Sequence, residues 1–116
     1  MVTMIICVKR KSGTTYEEFS QYWRENHAPL VASCLDFTRH LVSYSQYHLA
    51  EGHNAEAEFG VAGLYDGVAR LKFRSAREME LAFTEPAYLA NVRPDESRFV
   101  DIEGCTSFVT EELRVI

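Results

Sequence analysis

His27 is the residue of this chain best placed to move a proton. It lies in the segment Tyr22-Trp23-Arg24-Glu25-Asn26-His27-Ala28-Pro29-Leu30. Around it, Phe19, Tyr22, Trp23, His27, Leu30 and Val31 follow the spacing i, i+3, i+4, i+8, i+11, i+12, which is one stripe of an α-helix. The stripe puts an imidazole among apolar side chains. Burial without a partner is costly, so the ring is expected either to find a hydrogen-bond partner or to line a cavity. On a cavity wall, an imidazole suits general acid/base chemistry near neutral pH. In solid packing it is a structural histidine.

Asp66, between Tyr65 and Gly67, is the carboxylate expected to orient His27, as an acid orients a histidine base. The competing reading is that Asp66-Gly67 makes a bulge or turn. Tyr22, Tyr44, Tyr47 and Tyr65 carry hydroxyls able to stabilise an enolate or phenolate oxygen, or simply rings that pack. Tyr44 is preferred because Gln46 and His48 alternate with it on one strand face. Trp23 reads as core or pocket wall, with Tyr22, Tyr65 and Phe83 as further substrate contacts. The expected catalytic set is therefore His27, Asp66 and Tyr44.

Other chemistries find little support. His40, His48 and His53 lack the spacing of a metal-ligand set. No Gly-x-Gly-x-x-Gly or phosphate-cradling loop is present, and Ser43, Ser45 and Ser107 lack a nucleophile-elbow context. No cofactor and no metal are expected. Cys7, Cys34 and Cys105 are an odd number without a CxxC pair, which fits reduced thiols packed as small hydrophobes in a cytoplasmic protein.

The elements that must position these residues follow from pattern. Residues 3–9 read as a strand. Thr14 or Thr15 with Glu17 or Glu18 makes a capping box, so a helix starts near 15 or 16. Pro29 must kink or restart it around His27 and Ala28. Residues 38–49 alternate as a strand, with Leu41, Ser43, Ser45 and Tyr47 on one face and polar groups on both. Residues 50–60 read as a loop, and 62–73 as a third strand that includes Asp66. Ser75 and Glu78 form a second capping box, opening a helix with Met79, Leu81, Ala82 and Phe83 available to the core. Pro86 interrupts it, a further turn or two spans 86–92, and Pro94 opens a short segment with Asp95 and Glu96 in its first turn. Residues 102–110 read as the last strand.

This order, β-α-β twice, predicts a ferredoxin-like α+β domain: a four-stranded antiparallel sheet in βαββαβ order with both helices on one face. Residues 1–116 form one domain. The uncovered sheet face still carries apolar and aromatic residues, so a homodimer packed sheet to sheet is expected. The chain's 116 residues include 17 acidic and 12 basic ones, giving a net charge of −5, which argues against nucleic acid and anionic membrane. No apolar run approaches the roughly 20 residues of a membrane span. The apolar N-terminus lacks the flanks of a signal peptide and reads as a strand.

The chain resembles the EthD family of the dimeric α+β barrel superfamily. The resemblance rests on Tyr22-Trp23-Arg24-Glu25-Asn26-His27-Ala28-Pro29-Leu30-Val31, on Tyr65-Asp66-Gly67-Val68-Ala69, on Asp95-Glu96 followed by Phe99, and on Phe108-Val109-Thr110-Glu111-Glu112. The long Trp-to-Pro segment is the specific part. The resemblance implies a homodimeric barrel with a pocket between sheet and helices. Superfamily relatives include isomerases, cyclases, cofactor-free monooxygenases, dehydratases and haem-degrading proteins, so family membership constrains the fold more than the reaction. The expected function is cofactor-independent acid/base chemistry, as dehydration, cyclisation or isomerisation, on a small aromatic or polyketide-like carbonyl compound. The rivals are a non-catalytic carrier or accessory protein for a small hydrophobic ligand, and a cofactor-free monooxygenase.

Overall fold

The computed structural model describes residues 1–51 and 63–116. His53 and most of the loop read at 50–60 lie outside the described residues, as does the expected start of the third strand at 62. Four strands, β1 (Val2–Val8), β2 (Leu41–His48), β3 (Gly67–Phe73) and β4 (Thr106–Thr110), form one sheet in the order β2-β3-β1-β4. Every neighbouring pair is antiparallel. Helices α1 (Tyr16–Tyr22), α2 (Ala28–Ser33), α3 (Leu35–Thr38), α4 (Ala76–Thr84) and α5 (Arg93–Glu96) connect them. This is the ferredoxin-like α+β arrangement that the sequence predicts.

The register sorts side chains by face. Ile6 opposes Ala69 on one side and Ser107 on the other, and Met4 opposes Leu71 and Val109. Leu71 in turn opposes Tyr44, and Ala69 opposes Gln46. These positions share the face turned to the helices. On β3 that face is fully paid in apolar contact: Ala69, Leu71 and Phe73 are buried, with Val68, Arg70 and Lys72 less so. A bulge between Leu41 and Ser43 adds one residue to β2. It returns Leu41 to the same face as Tyr44, against the simple alternation expected, because an extra residue reverses side-chain phase.

Strand and helix boundaries depart from expectation where side chains capture the backbone. β2 begins at Leu41 and not at 38, since residues 35–38 close a helical turn. β3 begins at Gly67, leaving Asp66 just ahead of it. β4 begins at Thr106 because Ile102–Gly104 form a 3-10 turn, with the Asp101 carboxylate accepting from the Gly104 N–H at 3.2 Å.

The helix caps explain where α1 and α4 start. Thr15 and Glu18 make the reciprocal box, at 3.1 Å and 3.3 Å. At Ser75 only half of the expected box forms, the Glu78 N–H donating to Ser75 Oγ at 3.1 Å. The Glu78 carboxylate is drawn instead to His40.

Two prolines shape the rest. Pro29 and Pro94 each sit in the first turn of a short helix that directly follows a π-helical turn, Trp23–His27 and Tyr88–Val92. A proline ring clashes with the carbonyl four residues back and leaves it without a donor. A wide turn just ahead of the ring relieves both problems. The N–H groups that close these turns are those of Ala28, bonded to the Trp23 carbonyl, and Arg93, bonded to the Tyr88 carbonyl.

Candidate active site

The first π turn delivers Trp23 and His27 inward, and the second delivers Tyr88 and Val92. All four are buried. Between the turns and the sheet lies a cavity of about 340 Å³. That is within the range of small-molecule sites, near its lower end. Its walls are mainly apolar and aromatic, including Trp23, Phe37, Phe83, Phe99 and Leu71, with His27, Tyr44, Tyr88, Arg93, Glu96 and Ser107 as the polar exceptions.

His27 is 6% exposed, and its ring packs on Phe99 with centroids 5.0 Å apart. Its Nδ1 lies 2.9 Å from Asp95 Oδ2. The other carboxylate oxygen accepts from the Tyr22 hydroxyl at 2.6 Å. An ionised carboxylate only accepts. Nδ1 therefore carries the proton in the neutral ring, and Nε2 keeps its lone pair. Nε2 has no hydrogen-bond partner among the described residues, and since none of their fully enclosed side-chain nitrogens or oxygens lacks one, Nε2 is open to free space. His27 is one of the residues that line the cavity. The Tyr22 hydroxyl is pushed above its usual range, first by its bond to Asp95 and then by burial, so it stays a donor.

The sequence expectation for the carboxylate needs correction. Asp66 does not meet His27. Its Oδ1 is 2.7 Å from Arg10 Nη1 and its Oδ2 accepts from the Arg10 backbone N–H at 2.9 Å. A cation and a free N–H beside the end of β1 hold it there. The residue on the imidazole is Asp95, which sequence reading placed only as a favourable charge in a helix's first turn and as part of the family-like Asp95-Glu96.

Tyr44 lines the cavity as expected. Its hydroxyl accepts from Gln46 Nε2 at 3.1 Å. Burial raises its pKa, with the bonds to Gln46 and Trp23 pulling the other way. Of the expected substrate contacts, Trp23 and Phe83 line the cavity. Tyr22 and Tyr65 are not among the lining residues: Tyr22 supports Asp95, and the Tyr65 hydroxyl is 2.6 Å from Thr106 Oγ1. A further group, unread in sequence, joins Tyr88, Glu96 and Arg93. The Tyr88 hydroxyl donates to Glu96 Oε2 at 2.7 Å, and the Arg93 guanidinium lies over the Tyr88 ring, 5.3 Å from its centroid. Burial, then the charge of Glu96, drives the Tyr88 pKa far upward. Its proton is fixed. Among the described residues, no three of His, Cys, Asp and Glu converge to hold a metal ion, and no helix is long and apolar enough to cross a membrane.

A ferredoxin-like sheet, with helices on one face closing an aromatic cavity around a buried His–Asp pair, defines the class of protein. The EthD domain model matches residues 11–103, and the chain belongs to that family. A curated relative, "Conidial pigment biosynthesis dehydratase EthD" of Metarhizium robertsii, is 24% identical over 112 residues, covering 91% of this chain and 78% of its own. Among solved structures, an EthD family protein from Bacillus halodurans superposes with a TM-score of 0.70 at 15% identity, covering 97% of this chain and 99% of that one. A protein from Bacteroides fragilis, described as dimeric, ferredoxin-like and of unknown function, gives 0.65 at 10% identity, covering 96% and 95%. At such identities the two structures speak to the fold alone.

Proposed function

We propose that this protein is a cofactor-independent dehydratase that removes water from a small aromatic or polyketide-like carbonyl compound held in the cavity, and that it works as a homodimer. The observation that carries the proposal is the buried His27 ring, with Nδ1 tied to Asp95 and Nε2 left free beside an aromatic-lined cavity. The relative named as a dehydratase favours loss of water over the other proton-transfer reactions open to such a site.

In this reading His27 Nε2 takes a proton from the carbon next to the substrate carbonyl. The electron pair moves onto the carbonyl oxygen, where the Tyr44 hydroxyl donates a hydrogen bond. Asp95 stabilises the imidazolium that forms. When the pair returns to make the carbon–carbon double bond, the hydroxyl group on the next carbon leaves, and His27 returns the proton to it. The products are an unsaturated carbonyl compound and water, and His27 ends as it began. Apolar walls keep bulk water from competing and strengthen each of these contacts.

The dimer reading rests on the sheet face turned away from the helices. Tyr47 of β2 and Phe108 of β4 project there, 50% and 49% exposed, opposite Val68 of β3 and Ile5 of β1. An apolar face of this kind is normally covered. A second copy packed sheet to sheet would do so, as the description of the Bacteroides fragilis protein as dimeric suggests.

Turnover with a panel of phenol-fused β-hydroxy ketones tests the chemistry. Activity should collapse in His27→Ala, by about the 10²–10⁴-fold that a positioned general base contributes. A folded His27→Ala protein working at the wild-type rate would end the role given to His27, and tight binding without turnover would favour a carrier. Light scattering should report twice the chain mass, and a monomer at micromolar concentration would refute the dimer.

A further inference from the structure

Behind Tyr44 runs a line of polar groups that the proposed mechanism does not use. Ser20 Oγ lies 2.7 Å from His48 Nδ1, and His48 Nε2 lies 2.9 Å from Gln46 Oε1. Gln46 Nε2 donates at 3.0 Å to the Trp23 carbonyl and at 3.1 Å to Tyr44 Oη. The His48 ring also packs against Trp23, with centroids 4.6 Å apart. From these contacts we infer that Ser20, His48 and Gln46 form a one-way hydrogen-bond chain that points the Tyr44 hydroxyl proton into the cavity, with His48 and Gln46 as positioning residues.

The direction follows from one fixed point. The Trp23 carbonyl can only accept, and it belongs to the π turn, where it already receives the Ala28 N–H. The Gln46 group facing it must therefore be the amide nitrogen; the flipped amide would set two acceptors against each other. Gln46 Oε1 is then the acceptor toward His48, so His48 Nε2 carries a proton. Burial, followed by the charge of Arg24, holds the His48 pKa below its usual range and keeps the ring neutral. A neutral ring with its proton on Nε2 has a bare Nδ1, so Ser20 donates. At the far end, Tyr44 Oη has accepted from Gln46, and its own proton is free for the cavity. One carbonyl, exposed to side-chain bonding at a π turn, thus sets the polarity of four side chains. Ser20 is buried, while Gln46 and His48 are half-buried, so the chain is only partly open to exchange with water.

The inference rests on the reading of Tyr44 as the group that stabilises substrate oxygen, and its test separates the two. Imidazole ¹⁵N spectra at pH 7, with His48 assigned by its loss in His48→Phe, should show the neutral tautomer protonated on Nε2. A proton on Nδ1, or an imidazolium, would overturn the chain. The second readout uses 4-nitrophenol as probe, its absorbance reporting phenol against phenolate. Wild-type protein should favour bound phenolate over Tyr44→Phe by about tenfold or more, the worth of a hydrogen bond to a charged oxygen. Gln46→Glu places an acceptor beside Tyr44 Oη, turns the proton back from the cavity, and should abolish that preference. Gln46→Met, which removes the amide donor from Tyr44 Oη, should weaken it and serves if the glutamate variant does not fold. If Tyr44→Phe matches wild type, or wild type produces no change in the dye, Tyr44 is not an oxygen donor. If Tyr44→Phe loses the preference while Gln46→Glu and Gln46→Met retain it, Tyr44 acts alone and the chain is refuted.

Discussion

Asp95→Asn is the substitution that most sharply separates charge from shape at this site. The amide fills the same space, yet offers one acceptor where the carboxylate offers two. Arg98 Nε lies 3.9 Å from Asp95 Oδ1, the oxygen that also receives the Tyr22 hydroxyl. That side of the amide should hold the oxygen, because both neighbours are donors. The amide nitrogen then faces His27 Nδ1, which must become an acceptor. The His27 proton moves to Nε2, and the lone pair that faced the cavity is gone. Each bond to the carboxylate is charge-assisted and worth about 1.5–3 kcal/mol. Relief of the carboxylate's own desolvation offsets part of the loss, so the net fall in stability should be about 1–3 kcal/mol. The catalytic effect should be larger, since a positioned general base contributes about 10²–10⁴-fold. Urea unfolding gives the first number, turnover the second, and ¹⁵N spectra of His27 the tautomer. A variant that retained a bare Nε2 and kept kcat within about threefold of wild type would refute the reasoning.

Other sites give independent checks. Gly67→Ala would place a Cβ 2.7 Å from Trp23 Cζ3 and 2.8 Å from the Tyr47 carbonyl. Thermal unfolding should show a loss of about 1–3 kcal/mol from this overpacking, and an unchanged Tm would mean that both the Trp23 ring and the β2 backbone at Tyr47 give way. Asp66→Asn breaks the ion pair with Arg10 but keeps an acceptor for its backbone N–H. It should cost about 1 kcal/mol in stability and leave kcat within about twofold, whereas a loss of turnover like that of Asp95→Asn would assign chemistry to Asp66. His40 is bonded through both ring nitrogens, to Glu78 and to Glu85, and its pKa is raised above 6.5, Glu85 contributing most and Glu78 next. Its contribution is whole below pH 6.5 and is lost as pH climbs through the raised value. Tm should therefore decline on the alkaline side, and His40→Gln should flatten that decline; an unaltered slope would exclude His40 as its source.

The fold was legible because it depends on periodicity and caps. The stripe from Phe19 to Val31 is one face of a helix, and its most inward members, Phe19, Trp23, His27 and Val31, are all buried. The cavity was legible only where its residues follow a local pattern. His27 could be read from its stripe and Tyr44 from its alternation with Gln46 and His48, since both patterns are local. The partner of His27 could not. Asp95 lies 68 residues away and reaches the ring only after a second π turn and Pro94 have swung its helix over the first. Asp66 was the plausible carboxylate in sequence, but Arg10 claims it, 56 residues away. The signal available for Asp95 was its place in the family-like Asp95-Glu96 pair directly after Pro94.

The central claim is that His27 Nε2 abstracts a proton from carbon next to a carbonyl. Solvent exchange tests it most directly. A β-hydroxy ketone fused to a phenol ring, incubated with the protein in D₂O and recovered before turnover is complete, should carry deuterium at that carbon or release the unsaturated product, and do neither with His27→Ala. Equal deuterium uptake and product formation in the two proteins would contradict the account.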